Sequence, residues 1–139
     1  GAQAEYPQYL YASSIYWTRG RPVAFAEYLK VLGKNAALDD EDISFTKIRA
    51  AYAAGNISLE MPNGLVKQQG KEMLRQLALS KKDSHYTNQA RIAYAAALVN
   101  EGQRAQGIQV LESVPESDKK WRAIALSYIA AYAEAEKNA

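Results

Sequence analysis

Apolar residues return every three or four positions along most of this chain, the spacing that lines one side of an α-helix. From Tyr9 to Thr18 that face holds Tyr9, Ala12 or Ser13, Tyr16 and Trp17. Arg19-Gly20-Arg21-Pro22 breaks the pattern: Gly20 can take the left-handed conformation that ends a helix, and Pro22 suits the first turn of the next. Phe25, Tyr28, Leu29 and Leu32 mark a second helix, closed by Gly33. A third carries Ile43, Phe45, Ile48, Ala51 and Tyr52 and ends near Gly55. Directly ahead of it stands Asp39–Asp42, where acidic side chains meet the positive end of the helix dipole and can cap its free amides. Asn56 to Asn63 shows no sustained period and reads as a loop. A fourth helix covers Leu65–Leu79, with Val66, Met73, Leu74 and Leu77 as its apolar set, before a break at Lys81–Ser84. Helices over Thr87–Asn100, Arg104–Val114 and Lys119–Glu136 follow. Pro115 ends the sixth, Ser117 or Asp118 caps the seventh, and Trp121, Ile124, Ala125, Tyr128, Ile129 and Tyr132 form its apolar side. The pattern predicts an all-α protein of about seven helices with no strand.

The stretch Ala90–Pro115 says most about how these helices pair. Its first helix is almost lined with alanine, which lets two backbones approach closely, and its second carries Ile108, Leu111 and Val114 beyond a turn at Gly102. Laying the Tyr9–Leu32 hairpin over Arg91–Val114 matches Gly20 with Gly102, Leu29 with Leu111 and Leu32 with Val114. The tripeptide Ala-Tyr-Ala recurs around Tyr52, Tyr94 and Tyr132. Repeated antiparallel α-hairpins are the reading. One unit is expected over residues 6–139, behind a flexible N-terminus of residues 1–5 in which Gly1 has the look of a cloning remnant.

Tyr94, Leu98, Gly102, Gly107 and Leu111, with Trp121, Ile124, Ala125 and Tyr128 in the last helix, resemble the tetratricopeptide repeat (TPR) family. Pro115 arrives early, Gly107 stands where that family uses alanine, and the irregular Asn56–Gly64 stretch departs from an even period of about 34 residues. The resemblance implies a right-handed superhelical stack of helix pairs whose concave face binds a peptide or partner protein. On the best-matched hairpin it puts the groove near Gln89, Ala96, Val99 and Asn100. The lysine and asparagine set by which some members clamp a C-terminal carboxylate is not recognisable, so the resemblance gives no support to that ligand class.

Composition narrows the chemistry. With 139 residues the chain can bury a core without staples. A net charge of +2, with both signs mixed along the chain, gives no basis for nucleic-acid binding. The absence of cysteine removes disulfides, thiolate metal sites and cysteine nucleophiles. No run reaches the roughly 18 to 20 apolar residues that a membrane span needs. Ala2-Gln3-Ala4 has the small-x-small shape of a signal-peptidase site, which would mean export to a bacterial periplasm, but three small residues in such a place are also commonplace; the compartment is left open between periplasm and cytoplasm.

His85 is the single histidine and sits at a helix start, which favours a surface or capping role over that of a base. Asp39–Asp42 lacks the alternating ligands and central glycine of a calcium loop, so no metal or other cofactor is expected there. Lys67, Lys71 and Arg75 form a basic stripe on the fourth helix, either a solvated face or a docking strip for an acidic partner or phosphate backbone, though no aromatic rings interleave it as single-strand binding would want. Ten tyrosines are present, and Tyr11 lies off the apolar face of the first helix, an arrangement that suits an interface. The expected function is non-enzymatic binding of a protein or peptide, with a homo-oligomer left open. The alternatives are a helical appendage or small enzyme acting on cell-wall glycans, for which Glu5, Glu27 and Glu60 are the acids near aromatic rings, and a tyrosine-lined small-molecule-binding bundle.

Overall fold

In the computed structural model, residues 2–34 and 37–138 are described, and the described residues form seven α-helices and no strand. They are α1 (Ala2–Arg19), α2 (Arg21–Leu32), α3 (Phe45–Leu59), α4 (Gly64–Ala78), α5 (His85–Asn100), α6 (Arg104–Glu112) and α7 (Lys119–Lys137). None is long and apolar enough to cross a membrane. Each helix packs on the next in the chain. The odd-numbered helices also touch one another, α1 on α3, α3 on α5 and α5 on α7, whereas the even-numbered ones have at most a marginal mutual contact. The odd helices therefore form one layer, closed side by side, against which α2, α4 and α6 pack.

The two hairpin turns matched in the sequence are alike in conformation. Gly20 and Gly102 both take positive φ, 90° and 85°, where a side chain would be strained. Several boundaries differ from the periodicity. The helix expected from Tyr9 begins at Ala2, so the segment assigned to a flexible terminus is helical from there, while Gly1 lies outside the described residues. Glu5 holds this end down: Ser44 Oγ donates to its Oε2 at 2.9 Å, and Lys47 Nζ lies 3.5 Å from its Oε1. Trp17, expected on the packed face, is 84% exposed; Ala12 and Ile15 are the buried residues of α1, and Trp17 leans edge-on against Tyr16.

Asp39–Asp42 does not cap α3. Asp40 instead turns back to accept from the Asp42 amide at 2.9 Å, and Ser44 is the N-cap, accepting from Lys47 N at 3.1 Å. A short hydroxyl beside the first turn reaches the free amides where the acidic run, several residues upstream, cannot. Because Ser44 also bridges to α1, Ser44→Ala is expected to destabilise by about 1 to 2 kcal/mol, as a lower urea midpoint at unchanged slope.

The third helix also runs through Gly55 to Leu59, four residues into the expected loop. Gly55 is not a terminator but a contact. A Cβ there would meet the Leu74 side chain at 2.8 Å, and one on Gly70 of α4 would fall 1.5 Å from Ser58 Oγ and 2.9 Å from the Gly55 carbonyl oxygen. Packing this close offsets the low helix propensity of glycine. Gly107 plays the same part between α6 and α5, where a Cβ would lie 2.8 Å from Val99 Cγ2 and 3.0 Å from the Ala95 carbonyl oxygen.

The apolar interior falls into two clusters. The larger joins α1 to α5 around Ile48, Leu74 and Leu77; the smaller joins α5, α6 and α7 around Leu111, Val114 and Ala125, with Trp121, Ile124 and Tyr132 against it. The last helix thus packs on Trp121, Ile124, Ala125, Ile129 and Tyr132 as its spacing predicts, whereas Tyr128, expected on the same side, is exposed and lies against the Tyr132 ring.

Candidate functional site

Along the odd-helix layer, α3 and α5 run in the same direction with a groove between them. On α5, Tyr86, Gln89, Ala93, Ala96 and Asn100 recur at helical spacing and share a face. On α3 the facing stripe is Arg49, Ala53, Asn56 and Glu60. Arg49 lies over the Tyr86 ring at 5.2 Å, and one further register along, Asn56 and Leu59 face Ala93 and Ala96. The C-terminal half of this groove opens into a cavity of about 500 Å³. Its floor is Ala93, Ala96 and Ala97; Asn56, Gln68 and Asn100 supply amides, and Lys67, Glu60 and Glu101 the charges at its rim. Small floor residues leave room for another chain, and amide side chains can both donate to and accept from a peptide backbone.

Of the residues named from the resemblance, Ala96 and Asn100 line this cavity, and Gln89 continues the same face toward Tyr86. Val99 does not: it points at Gly107 and packs under α6. Its position three residues from Ala96 turned out to be on the wrong side of α5. Tyr11 is half exposed on α1 and lines none of the described cavities.

The basic stripe is not a set of free cations. Lys67 Nζ donates to the Leu59 carbonyl at 2.9 Å, closing the end of α3, and reaches the groove. Lys71 pairs with Glu101 across to the α5–α6 turn. Arg75 grips Glu72 with two bonds, Nε to Oε2 at 2.8 Å and Nη2 to Oε1 at 2.6 Å. Those Arg75 bonds are the main reason the Glu72 carboxyl is pulled down to about 2. Lys67 and Lys71 tie α4 to its neighbours, Arg75 is held within α4 by Glu72, and of the three only Lys67 lines the groove's cavity.

Arg49 is a residue the spacing did not single out. Its guanidinium carbon lies 4.6 Å from the Tyr9 ring centroid as well as over Tyr86, so it ties α1, α3 and α5 together across the layer. Tyr9 in turn packs against Tyr28 and Tyr6, at 5.8 and 6.4 Å between centroids. Burial works against the Arg49 charge, but the oxygens of Tyr9, Tyr86 and Tyr6 outweigh it and favour the charged form.

A second cleft, about 390 Å³, lies where α5 and α7 begin, beside Phe45, Ser84, His85, Tyr86 and Asp118. Asp118 is buried and accepts from the Asn88 amide at 2.8 Å and the Trp121 backbone at 3.4 Å, while His85 Nδ1 lies 2.8 Å from the same carboxylate. An imidazole oriented by a carboxylate is the frame of a general base. Here, however, the Ser84 hydroxyl is committed to capping α5 with Thr87, and Asp118 to capping α7. The arrangement acts as a tie between helix ends; His85 itself lies at the surface and caps neither helix, since Ser84 caps α5 and Asp118 caps α7. Glu5, Glu27 and Glu60, the acids considered for glycan cleavage, are each paired with a cation: Lys47, Lys30 and Arg21. Among the described residues no group of three or more metal-ligating side chains comes together.

No family model, no curated protein and no solved structure matches the chain.

Proposed function

We propose that this chain is a non-enzymatic binding module that takes an extended segment of a partner protein along the groove between α3 and α5. The observation that carries the reading is the alanine floor of that groove, Ala93, Ala96 and Ala97, flanked by the amides of Asn56 and Asn100. Alanine at those positions lets a guest backbone come close, and the amides can complete its hydrogen bonds as strands and caps do within a fold. Side-by-side contact confined to the odd helices agrees with a stack concave on that side. The TPR-like, right-handed superhelical form that the resemblance implies belongs to the same proposal.

The test is selection of binding peptides by display against the wild-type chain, followed by affinity measurements on variants. Ala96→Arg places a long side chain on the floor and is expected to weaken selected peptides by about tenfold or more, while Asn100→Ala costs about threefold. Both variants should keep the wild-type circular dichroism spectrum, since neither residue is fully buried. Selected peptides whose affinity is untouched by Ala96→Arg would place binding on another surface and remove the proposal.

A further inference from the structure

We infer that Arg49, clasped between Tyr9 and Tyr86, is a carboxylate-binding site at one end of this groove, and that the guest it accepts is an acidic peptide. The inference rests on the groove reading for its location and on Arg49 for its chemistry. A guanidinium has five in-plane N–H donors, and two stacked rings, even with a tyrosine oxygen nearby, cannot use them all. Arg49 Nε is buried with no hydrogen-bond partner, and no described carboxylate lies within ion-pair distance of this side chain. Nearby Glu5 is occupied by Lys47 and Ser44. The contrast with α4 is direct: Lys67, Lys71 and Arg75 all have internal carbonyl or carboxylate acceptors, whereas Arg49 has none among the described residues. A planar fork held between rings matches a carboxylate, which can accept two parallel bonds from it.

The experiment follows the Arg49 Nε–Hε resonance in 15N-labelled protein, identified by its loss in Arg49→Lys. The probes are acetate, an amidated alanine-rich nonapeptide with one central glutamate, its glutamine counterpart, and an all-alanine nonapeptide with a free C-terminus. A saturable shift with acetate and with the glutamate peptide is expected, and about tenfold weaker binding of the glutamine peptide. In Arg49→Lys the preference for glutamate should fall to within about threefold, because a point charge replaces the fork. A shift with the free-terminus peptide in place of the glutamate peptide assigns the chain end as the carboxylate donor. A shift of Arg49 with acetate, without change at the Asn56, Ala93 and Ala96 amides for any peptide, would keep the carboxylate site and sink the groove. Changes at those amides with Arg49 unmoved and no preference for glutamate would do the reverse. An Arg49 resonance unmoved by all four probes overturns the inference, and this readout needs only the wild-type chain.

Discussion

Gly70→Ala is expected to destabilise the fold by roughly 3 kcal/mol, among the largest effects open to a single methyl group in this chain. The new Cβ would sit 1.5 Å from Ser58 Oγ, 2.8 Å from Ser58 Cβ and 2.9 Å from the Gly55 carbonyl oxygen. Ser58 Oγ is itself tied to that carbonyl at 2.8 Å, so neither atom can simply swing aside. Relief requires α4 to move off α3, which would loosen the fully buried Leu74 and Leu77. Alanine favours a helix over glycine by about 1 kcal/mol, too little to offset the overlap. Gly64→Ala, at the start of the same helix with nothing within 4 Å, provides the control and should be neutral or slightly stabilising. Ser58→Ala added to Gly70→Ala should recover part of the loss, because it removes the nearest atom but leaves the two contacts below 3 Å. Urea unfolding of the four proteins decides the matter. A Gly70→Ala midpoint equal to that of Gly64→Ala would mean the two helices do not approach as described.

The second large effect is at Asp118. Asp118→Ala removes the cap of α7, worth about 1 kcal/mol, and strands the fully buried Asn88 amide, worth roughly 1 to 3 more, so about 2 to 4 kcal/mol is expected in all. The residue also carries a pH signature. Burial opposes the Asp118 charge, but the Asn88 amide, His85 and the Trp121 backbone together outweigh it and hold the carboxyl below the usual aspartate range. The folded state thus binds this proton more weakly than the unfolded chain does. Its contribution to stability is complete above about pH 4, the ordinary aspartate value, and is lost as pH falls through the lower native value. Stability of wild type minus that of Asp118→Asn, measured from pH 7 down to pH 2, should therefore be flat at first and then shrink. A difference that stays constant over the whole range would show that the charge plays no part.

Helix existence was legible because it depends on local spacing, and the glycine turns at Gly20 and Gly102 announced themselves by pairing with leucines at a fixed distance. Gly55 was misread because a glycine usually ends a helix, and only the opposing helix shows that its missing side chain is wanted. The signal was present as Gly55 and Ser58 on one helix and Gly70 on the next, small residues that make sense only as a crossing. Trp17 was misplaced since a ten-residue period fixes a face only to within a neighbouring position, and Ile15 took the inward place. For the site, Ala96 and Asn100 could be read from α5 alone. Arg49 and Asn56 could not, because they meet α5 through the register between α3 and α5, which the intervening hairpin sets.

One run of polar contacts links the end of α4 to the heads of α5 and α7. Arg91 donates to the Ala78 and Ser80 carbonyls at 3.1 and 3.0 Å and to Asn88, whose amide reaches Asp118 at the head of α7. This run spans the seam between the two apolar clusters. Apolar surfaces tolerate sliding, since their attraction has no direction, whereas a chain of directed bonds holds one alignment or breaks. The seam therefore behaves as a latch rather than a hinge bearing: α7 moves with the end of α4 or detaches from it, with little in between.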